Sequence, residues 1–144
     1  MAEGSGSPSV KVSGKARYMV GLIVVYTIAD FLLTPLGGIE TRDVSKVSST
    51  GVATLGLLFT GLALNVICLI LLLRNYRRAP IFGVVGSLLY FPAPIAEATG
   101  QFSSLSPPTG IAVIEVIEAI IAIAIIITGA LVLRKKPEAQ MKPA

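Results

Sequence analysis

The chain has 144 residues, enough for one domain; 53% are hydrophobic and only 14% are charged. A soluble domain carries about a quarter charged residues, whereas here the apolar residues fall in blocks of roughly 18 or more, long enough to cross a ~30 Å hydrocarbon core. His and Trp are absent and Cys68 is the single cysteine, which excludes an intrachain disulfide, a CxxC motif, histidine-built haem and zinc sites and a histidine proton shuttle.

Residues 1–17, MAEGSGSPSVKVSGKAR, are Gly/Ser-rich with three cations near their end, and they read as a flexible basic cytoplasmic tail. The first span is expected over about 18–36, closed by the helix-stop signal Pro35-Leu36-Gly37-Gly38. Its apolar stretch is longer than the usual h-region of a signal peptide, it contains Asp30, and no A-x-A-like site follows, so a retained helix is expected. The second span is expected over about 51–73, stopped by Arg74 and the Arg77-Arg78 pair. The third, about 81–99, begins after Pro80 and is interrupted by Pro92 and Pro94, leaving 81–91 cleanly apolar. The fourth, about 109–133, ends at Arg134-Lys135-Lys136, and residues 134–144 form a second basic cytoplasmic tail.

Charge selects among topologies. With four crossings, ten cations lie on one side, and Arg42 and Lys46 lie on the other. This obeys the positive-inside rule, and three crossings would put the C-terminal cations outside. The expected fold class is an all-α integral membrane protein, an antiparallel four-transmembrane-helix bundle spanning 18–133 with both termini cytoplasmic and the cell membrane as its home. Tyr18, Tyr76 and Phe82 fall at the inner boundary of this layout, and Tyr90, Phe91 and Phe102 towards the outer one. The net charge of +4 comes from residues flanking apolar spans, so it points to anchoring in the lipid bilayer and to no nucleic acid.

The same layout gathers the acids. Glu115 and Glu118 would lie roughly 9–14 Å below the outer boundary at ~1.5 Å per residue, and Asp30 at about that depth. Glu97 follows the prolines at the outer end of the third helix. Glu115 and Glu118 are spaced i, i+3 and share a face, while Tyr26, Asp30 and Thr34 form a polar stripe four residues apart. A charge at the bilayer centre costs about 2.5–3.5 kcal/mol on insertion scales, so these groups should face the bundle, a partner or a water-filled cleft. Two carboxylates ~6 Å apart repel by nearly 3 kcal/mol at an effective dielectric of ~20, so the glutamate pair is expected to share protons or hold a cation as one coupled unit.

Pro92 and Pro94 each remove an amide donor and free carbonyls, which at membrane depth are tolerated where they are buried or line a cavity. Broken helices near carboxyls recur at transporter sites. Gly61, Asn65 and Cys68 share a face, and Gly83 and Ser87 form a small-xxx-small pair; both patterns read as helix–helix packing. No P-loop, GxGxxG, GxSxG or HExxH occurs, no cofactor is expected and no metal is assigned.

Three roles follow from these residues. The first is an accessory or structural subunit of a larger membrane complex, with the carboxyl cluster paired to other membrane subunits. The second is a homo-oligomeric proton- or cation-coupled small transporter or channel, in which Glu115, Glu118 and Asp30 hold the cation. The third, an enzyme using a carboxylate-bound divalent ion, lacks the polar helpers a catalytic site needs, so no catalytic residue is named.

Overall fold

The computed structural model describes residues 14–33, 47–101 and 107–134. The described residues form helices and connections with no strand: α1 (Gly14–Leu33), α2 (Ser49–Leu73), α3 (Ala79–Leu88), α4 (Pro92–Ala98) and α5 (Thr109–Leu133). Four helical stretches are long and apolar enough to cross a membrane, with α3 and α4 together making the third, Ala79–Ala98. This is the build of an integral membrane protein. Thr34, the Pro35–Gly38 stop signal, the cations Arg42 and Lys46, Phe102 and most of both tails lie outside the described residues.

Local sequence explains the ends. The Ser48 hydroxyl caps α2 by accepting from the Gly51 amide at 3.1 Å, satisfying one of the amides a helix start leaves unpaired. It also donates to the Gln101 carbonyl, tying the start of α2 to the end of α4. At its other end α2 closes in a Schellman motif: Tyr76 N–H donates to the Leu71 carbonyl at 2.8 Å and Asn75 N–H to Leu72 at 3.0 Å. Asn75 takes φ 57° there, a left-handed conformation that asparagine tolerates better than most residues with a side chain. The same motif closes α4, with Gly100 at φ 69° and Gln101 N–H donating to the Ala96 carbonyl.

Pro92 opens α4 at a helix-start position, where a missing amide proton is harmless. The bonds across the junction, Ala93 N–H to Tyr90 and Ile95 N–H to Phe91, are long at 3.2 and 3.3 Å. The prolines therefore interrupt the third span in its second half and restart it as a short helix.

The third span is the hub of the bundle. It is 39% buried, against 22% for α2 and for α5. Glycines make this possible. A Cβ on Gly61 would come 2.6 Å from the Gly86 carbonyl oxygen, and one on Gly86 would come 2.7 Å from that of Gly61, so the α2 and α3 backbones touch. A Cβ on Gly83 would meet Met19 of α1 at 2.6 Å and Cys68 of α2 at 3.0 Å, and one on Gly129 of α5 would meet Val84 at 2.7 Å. Close approach over small residues is how helices associate in lipid, where apolar burial alone drives little.

The outward faces differ from those of a soluble bundle in being apolar. The α1 residues turned inward are Ala16, Met19, Ile23, Tyr26 and Asp30, whereas Tyr18, Val25 and Ile28 are more than half exposed. On α5, Glu118 and Thr128 are buried while Val116, Ile120 and Ile127 are exposed. Polar groups are held inside among apolar ones such as Ile23 and Ile125, and branched aliphatics also cover the outside, the arrangement hydrocarbon solvent selects.

Candidate functional site: a tyrosine–carboxyl cluster in the helix core

The inward stripe of α1 delivers Tyr26 and Asp30, one helical turn apart, and both are 1% exposed. From α5 comes Glu118, also 1% exposed, and from the junction between α3 and α4 Tyr90 at 3%. The Tyr26 and Tyr90 rings meet edge to face, centroids 5.9 Å apart at 80°, and Tyr90 makes a second such contact with Phe91 at 5.6 Å. The Tyr90 hydroxyl donates to the Glu115 backbone carbonyl at 2.8 Å. It also lies within hydrogen-bonding reach of the Glu118 carboxyl, and Asp30 and Glu115 both lie close enough to act on the charge of Glu118.

Oxygen counting reveals what this cluster leaves open. Asp30 Oδ2 and Glu118 Oε1 are buried with no hydrogen-bond partner among the described residues, and so is Thr27 Oγ1 one turn before Asp30. Tyr90 has one hydroxyl proton, and the Glu115 carbonyl takes it. The hydroxyl can instead turn to donate to the Glu118 carboxylate; when it keeps to the carbonyl, a protonated Glu118 can donate to the hydroxyl oxygen. A buried carboxylate without a positive partner is costly in a protein interior. The cluster is thus chemically suited to a proton or a small cation shared between two acids on neighbouring helices.

The structure distributes the candidate residues unevenly. Glu115 and Glu118 differ in setting: Glu118 is buried and Glu115 half-buried, so the deepest acidic pair is Asp30 with Glu118 rather than the two glutamates. Glu97 is half-buried on α4, which packs on α2, and it is not among the groups acting on Glu118. Thr34 falls outside the described residues. Asn65 is fully buried against Gly86, and Ser87 is fully buried one turn before Tyr90. Neither Asn65 amide atom nor the Ser87 hydroxyl has a hydrogen-bond partner among the described residues. Among the described residues no three His, Cys, Asp or Glu side chains converge as a metal site.

Residues 15–143 match the family described as a domain of unknown function, DUF8051. The chain belongs to that family. The match takes in all four apolar spans, so the tyrosine–carboxyl cluster lies wholly within the DUF8051 region. No curated protein and no solved structure is similar to the chain.

Tyr90 is the functional candidate that sequence reasoning missed. It reads as an aromatic of the outer boundary, yet it is buried at the centre of the cluster. The signal was its register: Gly83, Ser87 and Tyr90 fall on one helical face, the face that α3 buries.

Proposed function

We propose that this DUF8051 protein binds a proton reversibly between Asp30 and Glu118, and that it works as a homo-oligomeric proton-coupled small transporter or channel with both termini cytoplasmic. One observation carries the reading: two carboxyls on adjacent helices are buried inside the chain's own bundle, each with an oxygen left without a hydrogen-bond partner among the described residues. An acid kept to pair with another subunit would instead face outward. A proton rather than a metal ion is favoured because no larger cluster of ligand side chains converges among the described residues.

The contacts support alternating helix directions. The first half of α1 meets Gly83 and Gly129 through Met19, while its second half meets Tyr90 through Tyr26. Tyr90 in turn meets the first half of α5 at Glu115, so α1 and α5 run oppositely. Ser48 at Gln101, Gly61 at Gly86 and Cys68 at Gly83 run α2 oppositely to the third span. Cations at Lys15, Arg17, Arg74, Arg77, Arg78 and Arg134 then share one end, which supports a cytoplasmic placement of that end.

A second reading, an accessory subunit of a larger membrane complex, is favoured by one different feature. Ala53, Gly56, Thr60 and Ala63 form an exposed small-residue face on α2, and nothing lies within 4 Å of a Cβ placed on Gly56. Such a face suits a further helix, either from another copy or from a foreign chain.

One experiment separates the two. Gentle purification followed by intact-assembly mass spectrometry should give a homo-oligomer, and proteoliposomes holding it should carry a proton flux that Asp30→Asn and Glu118→Gln reduce at least tenfold. Stoichiometric foreign subunits, with no flux from the chain alone, would establish the accessory role instead.

A further inference from the structure

We propose that the cleft between the Arg77-Arg78 turn and the end of α5 binds the headgroup of an anionic phospholipid. The cleft, about 360 Å³, is lined by Arg77, Arg78, Ile81, Val132 and Leu133. Two arginines therefore line one space together with three aliphatic residues. A guanidinium presents paired N–H donors that match two oxygens of a phosphate, and it keeps its charge at any physiological pH. The aliphatic walls suit the first part of an acyl chain, so the lining as a whole fits an amphiphile rather than a free anion.

Position and charge point the same way. The cleft lies where α2 has ended at Leu73, α3 begins at Ala79 and α5 ends at Leu133, which is the edge of the apolar spans. Ile81 and Leu133 are 44% and 40% exposed there, open to the bilayer side. The described acids, Asp30, Glu97, Glu115 and Glu118, all belong to the opposite ends of their helices, so no described carboxylate competes for these arginines. Basic pockets between transmembrane helices at a cytoplasmic surface are suited to anionic lipid headgroups.

The backbone that carries the arginines is also held in place. The Schellman closure at Asn75 turns the chain sharply, and Ala79 N–H donates to the Tyr76 carbonyl at 3.1 Å, so the connection from Arg74 to Arg78 is short and hydrogen-bonded. Arg78 is the N-cap of α3, and Pro80 fixes the first turn behind it. A phosphate arriving here meets a backbone already ordered, so only the side chains remain to be ordered on binding.

The test uses the full chain extracted from mixed phosphatidylcholine–phosphatidylglycerol vesicles, with retained lipid read by native mass spectrometry. The wild type should retain phosphatidylglycerol over phosphatidylcholine. Arg77→Gln/Arg78→Gln should lose that retention by about tenfold or more, because both charge-assisted partners of the headgroup are removed. Lys15→Gln/Arg17→Gln, which removes the same charge at the same end but outside the cleft lining, should stay within about twofold of wild type. Ile81→Asp, which sets a carboxylate in the cleft and leaves the arginine turn alone, should fall as far as the arginine variant and serves if that variant loses its helical circular dichroism. Equal loss in the two double variants would mean general surface charge and overturn the proposal. So would a wild type that does not discriminate the lipids, a folded cleft variant that retains phosphatidylglycerol fully, or complete displacement by millimolar inorganic phosphate.

Discussion

The two ends of this bundle handle charge in opposite ways. At one end Asp30 and Glu118 are drawn fully into the helix core, with Tyr26 and Tyr90 as neighbours. At the other, Arg77 and Arg78 stay exposed and line a cleft together with Ile81, Val132 and Leu133. Side-chain length explains part of the contrast. An arginine carries its charge on a long stem that lies along apolar surface and reaches water, and a short carboxyl set deep in a span has no such escape. The basic end is therefore open to its surroundings, and the acidic end is closed within the chain.

The largest effect is expected where the two regions share a support. Gly86→Leu would drive a side chain into the Gly61 carbonyl and Asn65, so the α2–α3 crossing should open at a cost of about 3 kcal/mol or more. Thermal unfolding in detergent, followed by circular dichroism, should show both ends lost in one transition. Separate transitions would mean that the ends are independent units.

Next comes a direct contrast of the two charges. Glu118→Leu replaces a buried carboxyl with an unpartnered oxygen by an apolar group of similar size, and it should raise stability by about 1–3 kcal/mol while abolishing proton flux. Arg78→Leu, at an exposed position, should change stability by under about 0.5 kcal/mol. If denaturation midpoints move equally for both, burial is not what distinguishes the ends.

A smaller change is expected from Tyr90→Phe. It removes one hydrogen bond to the Glu115 carbonyl and keeps both ring contacts, so the loss should be about 1 kcal/mol. Proton flux should fall by a larger factor than stability predicts, because Glu118 loses its neighbouring hydroxyl. A flux unchanged in Tyr90→Phe would place Tyr90 in packing alone. The smallest effect belongs to the basic turn: Asn75→Ala must keep φ 57° without the help asparagine gives and should lose under about 1 kcal/mol in the same unfolding measurement.

Much of this organisation could be read from residue order, but unequally. Asp30, Glu115 and Glu118 stand out because each interrupts an apolar run, and the stripe of Tyr26 and Asp30 follows from helical spacing. Their ranking could not be read. Glu115 and Glu118 are only three residues apart, and a modest rotation of α5 decides which one is buried; the structure gives that place to Glu118. Gly61 and Gly83 are legible as small packing residues, whereas Gly86 and Gly129 become meaningful only through what opposes them. Gly86 faces a carbonyl 25 residues earlier, and Gly129 faces Val84 across the bundle.

The sequence by itself determined that this chain makes four apolar helices, because hydrocarbon tolerates a backbone only when its own hydrogen bonds are closed, and the runs between the charged stops are long enough for that. It also determined the sign of each end, since cations and acids are written into different halves of the spans. Only the tertiary structure decided the rotation of each helix about its axis. That rotation is set by backbone contacts between glycines far apart in sequence, and it brings Tyr90 beneath Tyr26, Asp30 beside Glu118, and two arginines to one cleft.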